Sequence, residues 1–168
     1  MCVCTFFGHR DCPNTIKPLM REVIIDLIEN QNVDTFYVGQ QGSFDFLARS
    51  VLAELADEYP HIRYSIVLAR LPQQNKTYDP LDASNSLLPE GIENVPPRFA
   101  INWRNEWMLK QASFVVTYVT HSWGGAAKFA EKATRLSLRN PSIKPILPSM
   151  RKQWQHTPTI VVAISSSV

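Results

Sequence analysis

Three short stretches of this chain gather the residue types that bind anions and move protons. Gly8 is followed by His9, Arg10 and Asp11. "GQQGSFD" brings Gly39, Gly42, Ser43 and Asp45, and "THSWGGAAK" brings His121, Ser122, Gly124, Gly125, Ala126 and Lys128, with Glu131 two turns into the helix that follows. Arg10 has the paired N–H donors that suit phosphate, while Asp45 or Glu131 has the chemistry to hold ribose hydroxyls or to act on a glycosidic bond. Glycine at a turn lets backbone N–H groups approach an anion, and a helix behind it adds unpaired donors and the positive end of its dipole. Each residue also has a plain structural reading. Asp45 sits where a helix dipole favours a carboxylate, His9 and His121 are equally suited to satisfied structural roles, and Lys128 reads as a solvated lysine unless an anion lies near it. Neither glycine stretch fits the Walker P-loop or the dinucleotide fingerprint, so neither ATP hydrolysis nor a nicotinamide cofactor is supported, and no cofactor is expected.

The elements that must position these residues follow from periodicity. Residues 3 to 7, "VCTFF", form an apolar β-prone run closed by Gly8, and 35 to 38, "TFYV", a second strand ending at Gly39. Between them Ile16, Leu19, Val23, Leu27 and Ile28 recur at helical spacing, with Pro18 near the start, where a missing N–H costs little. Phe44, Leu47, Ala48, Val51, Leu52 and Leu55 predict a second helix with Ser43 as its N-cap, ending by Pro60. "RYSIVLA" from Arg63 is a third strand and "SFVVTYV" from Ser113 a fourth, preceded by a helix over 98–111 and followed by one that Gly124 opens. Phe99, Trp103 and Trp107 lie four apart on the 98–111 helix, a stripe that reads as core packing, with Arg104 and Met108 on the adjacent face. "SIKPIL" and "TIVVAIS" in the last thirty residues are strand-like.

This alternation predicts the α/β class: an open, mainly parallel sheet of about five strands with helices on both faces. Five of the six glycines then fall on strand-to-helix turns, which all emerge at the carboxyl edge where such sheets bind ligands. With 168 residues the chain reads as a single domain over 1–168, with a core of about 2–147, a long loop or lid at 71–97 holding five of the twelve prolines, and a tail at 148–168.

Composition narrows the partners. A formal charge of +2 with scattered Lys and Arg gives no basic stripe, so no nucleic acid is expected. The absence of a long apolar run or a signal-like start predicts no membrane partner and a cytoplasmic protein. Cys2, Cys4 and Cys12 all fall in the first twelve residues and read as reduced thiols. With His9 they make a metal site conceivable, but the spacing is wrong for the usual pair, so they are read as buried and inert with no metal.

Three stretches taken in order, "CTFFGHRDCP", "FYVGQQGSFD" and "NWRNEWMLKQASFVVTYVTHSWGGAAKFAEKA", resemble the SLOG superfamily of Rossmann-like domains. That superfamily joins the DprA/Smf DNA-processing proteins to the "lonely guy" cytokinin-activating enzymes, and the chain is most similar to its YpsA-like branch of bacterial and prophage proteins. The "lonely guy" enzymes carry Arg-x-x-x-Met on a helix, then a strand, then Pro-Gly-Gly-x-Gly-Thr-x-x-Glu, whose Arg and Glu serve in releasing a base from a nucleoside monophosphate. Arg104 and Met108 match the first pattern; Gly124, Gly125 and Glu131 match the second. Trp123 stands in place of the Pro, Ala127 of the last Gly and Lys128 of the Thr, so the phosphate-cradling part is altered while the carboxylate stays.

The resemblance implies a binder of a nucleotide or nucleotide-derived, ADP-ribose-like signal, acting as sensor or sequestering protein. It leaves two alternatives: a nucleotide N-glycosidase with Glu131 and Arg104 as catalytic residues, and an adaptor that works through protein contacts of the 71–97 loop and the Trp-bearing helix. Dimers are common in the superfamily, so a homodimer is compatible with all three.

Overall fold

The computed structural model describes residues 1–71, 84–138 and 159–163. Its centre is a sheet of strands β1 (Val3–Gly8), β2 (Thr35–Val38), β3 (Arg63–Val67), β4 (Ser86–Leu87), β5 (Phe114–Tyr118) and β6 (Thr159–Ala163). They lie in the order β4-β3-β2-β1-β5-β6. The first five are parallel, and β6 joins the outer side of β5 antiparallel, with Phe114 opposite Ala163 and Tyr118 opposite Thr159.

Both faces of this sheet are covered. Because successive side chains on a strand point to opposite faces, Cys4 and Phe6 of β1, Ile66 of β3 and Val116 and Tyr118 of β5 meet the buried stripes of α1 (Lys17–Gln31) and α2 (Ser43–Glu58). Their neighbours Phe7, Val67 and Val115 turn the other way. They meet Met108, Leu109 and Ala112 from the α3 side (Ala100–Gln111) and Phe129 and Ala133 of α4 (Gly125–Leu138). On that second face Phe7 and Phe129 stack with centroids 5.1 Å apart. The open, Rossmann-like α/β architecture that the alternating pattern predicts is therefore present, with an antiparallel strand added at one edge.

Local signals explain the helix ends unevenly. Pro18 sits in the first turn of α1, where no intrahelical N–H is needed, and Asn32 ends that helix in the left-handed conformation at φ 55°. Ser43 is not the N-cap of α2: Gly42 occupies that place, at φ 91°, and Ser43 is the first helical residue. A backbone there that L side chains rarely adopt suits glycine better than serine.

The aromatic stripe of α3 is also corrected. The helix buries Ala100, Arg104, Met108 and Leu109, while Phe99, just before it, is 51% exposed and Trp103 and Trp107 are only partly buried. The helix is turned so that an arginine, rather than the aromatics, points inward. Trp107 still covers the sheet margin, tilted against Tyr37 with centroids 5.3 Å apart.

Of the 71–97 stretch, residues 72–83 lie outside the described residues. The remainder is more regular than its composition implies: β4 pairs Ile66 with Ser86 and Val67 with Leu87, and Ile92–Asn94 forms a short 3-10 turn. "SIKPIL" also lies outside the described residues, whereas "TIVVAIS" contains β6. No helix among the described residues is long and apolar enough to cross a membrane.

One packing contact fixes the height of α2 over the sheet. A Cβ placed on Gly8 would lie 2.1 Å from Cγ of the buried Phe44 ring, so the missing side chain is what lets the first turn of α2 settle on the end of β1. Gly8→Ala is expected to destabilise the protein by roughly 1–3 kcal/mol, the usual cost of overpacking. Phe44→Ala in the same chain should recover part of that loss, because it removes the Cγ and Cδ1 atoms that the new Cβ would meet. Urea unfolding of the four-member cycle tests this; strictly additive costs would contradict it.

Candidate functional site

Strand order reverses at β1, since β2 lies on one side of it and β5 on the other. Chain segments leaving β1 and β5 therefore diverge to opposite faces and leave a crevice at their carboxyl ends, the place where open α/β sheets bind ligands. A cavity of about 580 Å3 opens there. Its walls include Gly8, His9, Arg10 and Asp11 after β1, Gln41 and Asp45 at the start of α2, Ile101, Arg104 and Asn105 of α3, and His121 with Trp123–Ala126 ahead of and into α4.

At the floor lie two opposite charges taken out of water. Asp45 is 6% exposed and Arg104 4% exposed. Their ends converge over Gly39, where a Cβ would stand 2.2 Å from Asp45 Oδ2 and 3.0 Å from Arg104 Nη2. Gly39 thus makes room for the pair. The Gln41 amide donates to Asp45 Oδ2 at 2.8 Å, so the carboxylate at the third position of α2 also satisfies a free backbone donor ahead of the helix.

Arg104 donates from Nε and Nη2 to Asn105 Oδ1 at 3.0 and 2.8 Å and from Nη1 to the Val67 carbonyl at 3.4 Å. Those bonds hold the guanidinium against the end of β3. Burial pushes the Asp45 carboxyl up to about 6, against the pull of Arg104, the Gln41 amide, Arg49 and Arg10. Burial likewise lowers the Arg104 pKa, and Asp45 opposes that. Desolvation wins at Asp45 because the carboxylate gives up more hydration than one amide and a shared cation return.

Another part of the wall is a stack of rings. His9 and His121 lie nearly parallel with centroids 3.6 Å apart, and Trp123 continues the stack 3.7 Å beyond His121. The Thr120 amide donates to His9 Nδ1 at 3.1 Å, which fixes the neutral tautomer with its proton on Nε2. His9 Nε2 is shielded and meets no close hydrogen-bond partner among the described residues. The nearby Trp123 carbonyl favours the charged ring electrostatically, as does Asp11, but burial and the adjacent His121 outweigh both and lower the His9 pKa. His9 is accordingly an uncharged donor at neutral pH. The backbone N–H of His9 donates to the Tyr118 carbonyl at 3.1 Å, tying this wall to the end of β5.

The sequence candidates divide clearly. Gly8, His9, Arg10, Asp45, His121, Gly124, Gly125 and Ala126 line the cavity, as does Arg104. Gly39, Gly42 and Ser43 shape it from behind. Gly42 lies so close to Arg10 that a Cβ would meet its Cα at 2.7 Å, and the Ser43 amide donates to the Arg10 carbonyl at 2.8 Å. Ser122 is exposed beside the mouth and does not line the cavity. Lys128 is exposed outside it, donating to Asn102 Oδ1 at 2.9 Å. Glu131 is exposed too and accepts from Arg135 Nη2 at 2.5 Å one turn along the same helix.

Trp123 and Asn105 are wall residues that the motif reading did not select for the site. The Trp in place of a Pro just before the glycine pair was the available signal for the first. Nothing in the sequence pointed to the second. Burial pushes the Cys12 thiol up to about 12, with Asp11 adding to the effect, which disfavours the thiolate, and Cys4 is raised by burial as well. Among the described residues no group of three metal-ligating side chains converges.

No family model matches the chain, and no curated protein matches it.

The Asp45 environment has a measurable sign. Its folded pKa lies above its unfolded value, so the native state holds the extra proton between about pH 4 and 6. Relative to Asp45→Asn, the wild type should lose roughly 2–3 kcal/mol of unfolding free energy as pH rises through that window, from about 1.4 kcal/mol per pKa unit. Denaturant titrations of both proteins at several pH values measure the difference; a flat or rising difference would count against a buried, desolvated Asp45.

Proposed function

We propose that this chain is a SLOG-type domain of the YpsA-like kind that binds a nucleotide or nucleotide-derived signal, of the ADP-ribose class, in the β1/β5 crevice. In this reading it acts as a sensor or as a sequestering protein. The observation that carries the proposal is the cavity itself, open at the point where strand order reverses, with the start of α4 on one wall and the Asp45–Arg104 pair at its floor. The Gly124–Gly125 turn has φ 92° at Gly124 and leads directly into a helix whose first N–H groups have no intrahelical partner. Phosphate oxygens suit those donors. Asp45, shared between carboxylate and carboxylic acid near pH 6, suits a ribose diol, which both donates and accepts.

Hydrolysis is the second reading, and one observation favours it. Arg104, the matched arginine of the "lonely guy" pattern, does line the cavity. Against it, Glu131 points to solvent and pairs with Arg135, so the carboxylate that would assist water is not directed at the crevice. Binding without turnover is therefore the preferred conclusion.

Thermal shift and chromatography of free base, run together on a panel of nucleoside monophosphates, NAD, ADP-ribose and cyclic ADP-ribose, separate the readings. Stabilisation by a panel member without base release is expected. Base release abolished by Glu131→Gln would establish the enzyme instead, and no response to any compound would remove both. Gly125→Val should fold normally, since nothing lies within 4 Å of a Cβ there, and should abolish binding by occupying the cavity. Unchanged affinity in the folded variant would contradict the site.

A further inference from the structure

The ring stack ends in a residue that is unusual in both exposure and order. Trp123 is 71% exposed, yet one face of its indole lies flat on His121, inclined by 18° at 3.7 Å. His121 in turn lies on His9, and His9 is held at both its backbone N–H and its Nδ1 by the end of β5 and by Thr120. His121 Nδ1 also lies 3.0 Å from the Trp123 carbonyl, a contact that folds the short segment back on itself and sets the two rings face to face. An exposed indole is therefore anchored through two imidazoles to the centre of the sheet.

The other large exposed aromatics among the described residues are finished differently. The Phe46 ring carries the Arg49 guanidinium at 5.7 Å from its centroid, and the Phe99 ring carries Arg98 at 4.6 Å. Trp123 is covered on one face, and at 71% exposure its opposite face stands open while the residue lines the cavity. A single exposed apolar side chain is ordinary on a protein surface. A stacked indole at the mouth of a cavity with a buried Asp–Arg pair in its wall is not, because the order is already in place before any ligand arrives.

We infer that the outer face of Trp123 is a stacking platform for a planar heteroaromatic base, and that it sets the preference of the crevice for ligands that carry one. This rests on the nucleotide reading above and adds the group that distinguishes a nucleotide from a sugar phosphate. The bound base becomes the fourth ring of the stack. A purine, with the larger ring area, is held more tightly than a pyrimidine, and a ligand with phosphate and ribose alone gains nothing from Trp123.

The test compares AMP, UMP and ribose 5-phosphate as probes by calorimetry on the wild type, Trp123→Phe and Trp123→Ala. Wild type should bind AMP more tightly than UMP and ribose 5-phosphate. Trp123→Ala should weaken AMP by roughly 5- to 100-fold, the range for losing one base–aromatic stack, while leaving ribose 5-phosphate unchanged. Trp123→Phe should retain much of the AMP affinity. If Trp123→Ala leaves AMP affinity intact, or weakens AMP and ribose 5-phosphate equally, the platform is overturned and the nucleotide reading survives. If the wild type binds none of the three probes, nor ADP-ribose, both fall together.

Discussion

Two missing side chains set the geometry on which the crevice depends. Gly8 leaves space for the Phe44 ring, which lets the first turn of α2 sit down on the end of β1. Gly39 leaves space for the converging ends of Asp45 and Arg104. Both are steric constraints on backbone approach, and each is met by removing a Cβ rather than by adding a contact. Without them α2 would stand away from the sheet and its third residue would face water, where a carboxylate has its ordinary acidity. The depth of Asp45, its raised pKa and the closeness of a buried cation all follow from how far α2 descends.

A second consequence concerns charge. The floor pairs one carboxylate with one guanidinium, Arg10 and Asp11 add one charge of each sign, and the ring wall presents a neutral histidine, so the crevice is not strongly basic. A buried pair of this kind contributes little net stability, because desolvation offsets most of its attraction. Its value lies in fixed donors and acceptors. Such a site suits a ligand whose recognition is spread over backbone amides, hydroxyls and a ring better than a bare polyanion, which would demand more uncompensated cations.

Much of this was legible in the sequence because it is local. Strand–helix alternation gave the parallel sheet, and once the sheet is parallel the glycine-bearing turns after β1, β2 and β5 must share its carboxyl edge. What escaped depends on rotation and long-range contact. The face of α3 that turns inward carries Met108 and Leu109 into the core against the sheet, with Arg104 beside them, and no periodicity of Phe99, Trp103 and Trp107 records that. Ser43 is a good cap by type, but the chain needs a positive φ one residue earlier, at Gly42. The stack of His9 on His121 joins residues more than a hundred positions apart, and only the adjacency of β1 and β5 creates it. β4, two residues long, is too short to leave a pattern and is held by its neighbour rather than by its own propensity.

Binding of a nucleotide-derived molecule in the crevice between β1 and β5 is the central proposal. A titration of uniformly 15N-labelled protein with ADP-ribose, followed amide by amide, addresses that directly. Saturable shifts are expected at Gly8–Asp11, Gln41 and Thr120–Ala126, with the amino ends of the strands and the far ends of α1 and α2 unmoved. Saturable shifts centred elsewhere on the molecule, with those amides silent, would contradict it.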